Sequence, residues 1–240
     1  MVLATRLPFG LVSDYAVGFA LNTIYSEPHD LEDIPFWFLS APRYLGQNVP
    51  AFETDLPVYY DVRNVHFEST TSKTLGVAYN PARGCLRVLD LEYRSAPVLS
   101  DGAPGEFEQD LYAISNSGQI YIPAGGAVGP PRDIFGPEPL HGWCYFYQKM
   151  DLYRQLEDWD AVIEVGLESE AAGYFPSNGV EYLPLIEAHA VHGEWHLAQQ
   201  YTLEAANMDA GLEPFFCENW QRFREELPAV PAGDEAFAAV

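Results

Sequence analysis

The 240-residue chain is short of bases: 12 lysines and arginines stand against 35 aspartates and glutamates, for a formal charge of −23. Only Lys73 and Lys149 are lysines. A surface of that sign repels phosphate backbones and anionic lipid, which excludes nucleic acid as a partner. The charge reads as a solvated face, with cation binding as the sharper alternative. No run of 18 apolar residues occurs, so no segment reads as a membrane span. A basic start is missing too, and Asp14 interrupts the apolar opening, so residues 1–21 do not read as a signal peptide. Taken alone this predicts a cytoplasmic chain, although a fragment of a longer exported or membrane-anchored protein would look the same.

Cysteine is scarce. Cys85, Cys144 and Cys217 fit no zinc spacing, and an odd number allows at most one internal disulfide; as residues they read as buried thiols. Catalytic signatures are missing as well. There is no Gly-x-Ser-x-Gly and no His-Glu-x-x-His, and the Gly-rich stretch 124–129 lacks the lysine and following helix of a phosphate loop. His189, His192 and His196 crowd with Glu187 and Glu194, but Gly193 and a turn separate the third histidine from the first two. No metal site is therefore assigned, and His192 and His196 read as solvated. The acid groups Asp30/Glu32/Asp33, Glu106/Glu108/Asp110 and Glu157/Asp158/Asp160 could supply the two carboxyls of glycoside hydrolysis, yet so acidic a chain makes such groups by chance. His141 and Cys144 form an available nucleophile pair at a helix start, for which packing or disulfide bonding is the plainer reading. No catalytic residue is assigned and no cofactor is implied.

What the chain does have is apolar and aromatic mass, 48% and 14% of residues, enough to fold most of its length. Its patterning predicts an α+β protein: a mixed α/β domain over 1–135, a TPR-like helical domain over 136–227 and a flexible tail over 228–240. Residues 1–46 read as strand, helix, strand, helix, with Asp14 an N-cap and 34–39 a buried strand or short helix. Over 57–90, Val58, Tyr60 and Val62 alternate with Tyr59, Asp61 and Arg63, which predicts an antiparallel meander of three or four strands. A hairpin is expected over 115–122, and the Pro- and Gly-rich stretch 123–139 reads as the connector. In the second half Trp143, Phe146, Tyr147, Met150 and Tyr153 form a helical stripe. Asp158–Trp159 at one helix-to-helix turn recurs 36 residues later as Glu194–Trp195, close to the tetratricopeptide period of about 34. Ala198 and Ala205 supply the small residues of that repeat; the first copy has Val162 and Ser169 there. Five tryptophans and 15 tyrosines could line a sugar- or peptide-binding groove, with core packing the alternative. The binding surface is expected on the concave side of the repeats and at the seam with the α/β half, and the candidate binding residues are Trp143, Tyr147, Tyr182, His189 and Trp195.

The segments SDYAVGFALNTIY at 13–25, GCLRVLD at 84–90, HGWCYFYQKMDLYR at 141–154, QLEDWDAVIEVG at 155–166 and LPLIEAHAVHGEW at 183–195 resemble one group. It is the C-terminal soluble region of large bacterial multispanning proteins of the glycosyltransferase-like GT-C type, the dolichyl-phosphate-mannose mannosyltransferases. The resemblance covers residues 1–227. In such enzymes the catalytic acid lies on a loop between the first membrane helices, which has no counterpart here, so no catalytic residue carries over. The resemblance implies an extracytoplasmic module that binds an acceptor or partner, tethered to a membrane through its parent protein. This chain departs from it in having no membrane helix. An oxidising compartment would make Cys85 and Cys144, both inside the resembling segments, the disulfide candidates. The expected function is a non-catalytic interaction or acceptor-binding module, with a protein or glycan as partner. A carbohydrate-active enzyme with a carboxylate pair at the domain seam, or a structural subunit of a larger assembly, is the alternative.

Overall fold

The computed structural model describes residues 1–5, 14–26, 34–40, 51–62, 65–79, 84–95, 106–122, 129–228 and 231–239. Helices and strands are both present, and the chain is α+β. It divides into two compact units. One comprises Met1–Pro81, Leu86–Arg94 and Gly105–Leu140; the other comprises Ala82–Cys85, Ser95–Pro104 and His141–Val240.

In the first unit β1 (Val2–Thr5), α1 (Asp14–Tyr25) and β2 (Phe38–Ser40) form a parallel crossover. Asn22 sets its geometry. Its Nδ2 donates to the Gly18 carbonyl at 2.7 Å and the Phe36 carbonyl at 2.6 Å, while its Oδ1 accepts from the Phe36 amide at 3.1 Å. A helical side chain thus fixes the residues that lead into β2. The strands β3 (Pro57–Val62) and β4 (Val65–Thr70) pair antiparallel in a sheet of their own, with Tyr60 opposite Phe67 and Asp61 opposite His66. Val58, Tyr60 and Phe67 are buried, Tyr59 and Glu68 exposed, and Tyr60 lies 4.6 Å from Trp37 between ring centroids.

The expected meander is not what forms. After a 3-10 turn at Thr71–Lys73, β5 (Leu75–Ala78) leaves β4 and pairs parallel with β1; β6 (Arg87–Val88) then adds antiparallel to β5, giving the order β2-β1-β5-β6. The physical reason lies in the strands. Gly76, Val77 and Ala78 are buried in succession, so β5 needs an interior slot, whereas β3 and β4 alternate and keep one wet face. The hairpin over 115–122 also fails to form. Ser115 follows helix α2 (Glu106–Ile114) and bridges Thr74, and Ser117–Gln119 is a 3-10 turn. The turn residues find partners far along the chain: the Asn116 amide donates to the Thr74 carbonyl at 2.8 Å and Ser117 Oγ to Asp90 Oδ2 at 2.7 Å. Within the Pro- and Gly-rich connector, Arg132–Phe135 makes the one-turn helix α3. Residues 41–50, Asp30/Glu32/Asp33, most of 124–129 and the side chains of Glu106 and Glu108 lie outside the described residues.

The second unit is helical. Two hairpins, α4 (Trp143–Gln155) with α5 (Trp159–Ala171) and α6 (Leu183–Val191) with α7 (Trp195–Met208), are followed by α8 (Glu213–Glu226) and α9 (Pro231–Ala239). Phe146, Met150, Val162, Val165, Leu185 and Ala188 form a core shared by α4, α5 and α6. Gly166 permits the approach of α5 to α6, since a β-carbon there would stand 2.6 Å from Leu185 Cδ2. Trp220 Nε1 donates to Thr202 Oγ1 at 3.0 Å, which joins α8 to α7. A charge network is buried among α4, α6 and α8. Arg154 Nε meets Asp151 at 2.9 Å, Arg154 Nη1 lies 3.6 Å from Glu187, and Arg222 bonds Glu187. Two acids and two bases balance there, which is what burial of charge demands.

The tail expected to fray is helical instead. Ala236 of α9 is buried, Gly233 sits against the Trp195 indole, and the Arg224 guanidinium lies 4.4 Å from the Phe237 ring centroid. The apolar Trp195–Trp220 surface, invisible in the tail's own composition, is what the segment packs upon.

The two hairpin turns are related by the 36-residue repeat: Glu157 has φ 56° and Gly193 φ 74°. A left-handed residue costs a side chain about 1 kcal/mol or more, and glycine nothing. Glu157→Gly is expected to raise stability by about 0.5 kcal/mol and Gly193→Ala to lower it by about 1 kcal/mol, read as opposite shifts of the urea midpoint at unchanged slope.

Candidate functional site

The site is built on the segment between the two hairpins. Gly173, at φ 78°, ends α5, and Ser169 Oγ donates to the Tyr174 carbonyl at 3.0 Å, turning the chain outward through Tyr174–Phe175–Pro176. Asn178 Oδ1 caps the next turn, accepting from the Val180 amide at 3.1 Å. The following acid, Glu181, is fully buried (0% exposed). Its Oε1 accepts from the Cys85 amide at 2.8 Å. Its Oε2 accepts from Trp143 Nε1 at 2.6 Å, the Ser177 amide at 2.8 Å and Ser177 Oγ at 2.9 Å. Four donors take the place of water around this carboxylate. Next to it Cys85 and Cys144 are joined by a disulfide, with Cα atoms 5.2 Å apart.

With Trp143 fixed in this way, a cleft of about 360 Å³ opens beside it. Trp143, Tyr174 and Phe175 line it together with Tyr182, Tyr201, Glu170, Gln200 and Glu204. The rings of Tyr182 and Tyr201 lie 5.8 Å apart. Tyr201 Oη donates to Glu170 at 3.0 Å, the Tyr182 hydroxyl is hydrogen-bonded to Glu204, and Gln200 Nε2 donates to Glu204 at 2.9 Å. Burial, and then the Glu204 carboxylate, push the Tyr182 hydroxyl up to about 12. Burial, and then Glu170, raise the Tyr201 hydroxyl well above the usual tyrosine range. Both phenols therefore remain protonated donors at neutral pH.

Of the residues singled out in the sequence, Trp143 and Tyr182 line this cleft, and His189 stands behind it, its ring 5.5 Å from that of Tyr201 and its Nδ1 2.6 Å from Glu194. Tyr147 is buried 6.3 Å from the Trp143 ring. Trp195 lies elsewhere, 7% exposed beneath α9 and 6.1 Å from Trp220, with no acceptor for its indole N–H among the described residues. Cys217 is an exposed free thiol. Because Cys144 is bonded to Cys85, it cannot serve as a nucleophile with His141, which instead stacks on Tyr145 at 3.5 Å. The histidine group is dispersed: His192 faces Asp160 at 3.3 Å, and among the described residues no three His, Cys, Asp or Glu side chains converge as a metal would require. Asp158 caps α5 through the Ala161 amide. Glu170, Tyr201 and Glu204 were not singled out in the sequence. The available signal was the spacing of Gln200, Tyr201 and Glu204 on one face of α7.

No family model, curated protein or solved structure matches the chain.

Glu181→Ala strands two buried donors, the Cys85 amide and the Trp143 indole, and is expected to cost about 3 kcal/mol, read as a lowered urea midpoint. An unchanged midpoint would mean that water solvates those donors. For the phenols the sign is that of an acid kept neutral by folding. Their contribution is complete below the ordinary tyrosine value of 10.0 and is lost as pH rises through the folded value. Tyr182→Phe should accordingly remove an absorbance step near 12 from the tyrosinate titration; loss of a step near 10.0 instead would contradict the buried assignment.

Proposed function

We propose that the chain is a non-catalytic binding module that holds a protein or glycan acceptor in the cleft beside Trp143. The observation that carries this reading is the cleft itself. Aromatic rings wall it, and both of its carboxylates already accept hydrogen bonds from tyrosine hydroxyls. A concave aromatic wall with a few oriented polar groups is the usual form of a recognition site. The two hairpins, offset by 36 residues, favour a TPR-like arrangement, whose repeats present concave faces to partners. The Cys85–Cys144 disulfide favours an oxidising compartment, in keeping with an extracytoplasmic module of a GT-C glycosyltransferase-like membrane protein. No helix among the described residues is long and apolar enough to cross a membrane.

Phe175, 61% exposed at the rim, and Tyr201 test the assignment. The full chain is screened against a glycan array and a peptide library, and its ligand is titrated against Phe175→Ala and Tyr201→Phe. Each variant is expected to bind at least about tenfold more weakly with its melting temperature little changed. Undiminished binding by both variants, or ligand turnover by the wild-type chain, would refute the module at this cleft.

A further inference from the structure

The carboxylates of the helical unit fall into two kinds. Glu181 is saturated by four N–H and O–H donors, and Glu187 is bracketed by Arg154 and Arg222. Glu170 and Glu204 differ. Among the described residues neither meets a base, and no lysine, arginine or histidine lines the cleft they share. Their bonds from Tyr201, Tyr182 and Gln200 leave much of their acceptor capacity open, because an ionised carboxylate has about four lone-pair sites.

The donors of the cleft are mostly spent. Trp143 gives its only side-chain proton to Glu181, Ser169 to the Tyr174 carbonyl, Tyr182 to Glu204 and Tyr201 to Glu170. Tyr174 and the second amide proton of Gln200 are the side-chain donors left on the lining. A sugar hydroxyl both gives and receives hydrogen bonds and is best met by a balanced set. A guanidinium or ammonium only gives, and asks for acceptors and ring faces. This cleft supplies two carboxylates and the rings of Trp143, Tyr174, Tyr182 and Tyr201, in a chain of charge −23 that draws cations toward its surface. Its volume of about 360 Å³ suits an amino-acid side chain with part of its backbone.

We infer that the cleft takes a cationic side chain, arginine or lysine, carried on a segment of a protein partner. The inference rests on the binding-module reading and names its ligand class. Charge then sets the selectivity: the ammonium or guanidinium meets Glu170 and Glu204, its stem lies along the aromatic wall, and binding weakens with salt.

The test uses the full chain and four probes: a blocked glycine–serine peptide bearing arginines, the same peptide with the neutral isostere citrulline at each arginine, N-acetyl-arginine amide, and a neutral oligosaccharide mixture. Trp143 provides a fluorescence readout inside the cleft, and calorimetry confirms it. The arginine peptide is expected to bind at least about tenfold more tightly than its citrulline form. The double variant Glu170→Gln with Glu204→Gln keeps acceptors for the tyrosines; it is expected to abolish that preference without lowering the melting temperature. Binding of N-acetyl-arginine amide as tight as that of the peptide would overturn the protein-segment part of the inference. Equal affinity for the arginine and citrulline peptides would overturn the charge. Oligosaccharide binding that survives the double Gln variant but not Phe175→Ala would overturn the cationic ligand and leave the module reading standing. Silence from all four probes, with no ligand from the array or library, would overturn both.

Discussion

A carboxylate removed from water is tolerated only where the chain itself supplies its hydrogen bonds, and Glu181 shows what that supply organises. Its donors come from three separate stretches: the Cys85 amide, the Trp143 indole and the Ser177 turn. Satisfying one buried acid therefore fixes Cys85, the first residue of α4 and the turn at Ser177. The disulfide holds two of the same stretches covalently. Trp143 lines the cleft with its indole N–H already spent on Glu181.

The acidity of the chain, so conspicuous as a total, is divided by tertiary structure into different tasks. Glu181 and Glu187 are interior groups whose charge is absorbed by donors and by arginines. Asp158 and Asp209 begin helical turns by accepting backbone protons. Glu170 and Glu204 face a cleft, and the tyrosines that bond them are raised in pKa by the same burial that orients them. Position, rather than number, decides which acids are structural and which are open to a ligand.

In the other unit the decisive quantity is how many faces a strand must bury. β5 is apolar on both, so it lies inside the sheet next to β1, while β3 and β4 alternate and form their own pair. Local patterning located these strands well; what it could not supply was their partners. The alternation over 57–62, the helix opened by Asp14 and the stripe from Trp143 to Tyr153 were all legible, because their periods are properties of neighbouring residues. The pairing of β5 with β1, across more than seventy positions, was not.

The sequence by itself determined the mixed α+β class, the helical second half and its 36-residue echo, and the net charge of −23, since each follows from composition or short-range spacing. Tertiary structure alone decided the rest. It buried Trp195 under α9 where groove exposure had been expected, and it gave the frayed-looking tail a surface to fold upon. It also gathered Glu170, Tyr201 and Glu204 from two hairpins, and Tyr182 from the segment between them, into one cleft. The reason is the same in each case. Burial and hydrogen-bond satisfaction are settled between residues distant in the chain, and no local period carries that information.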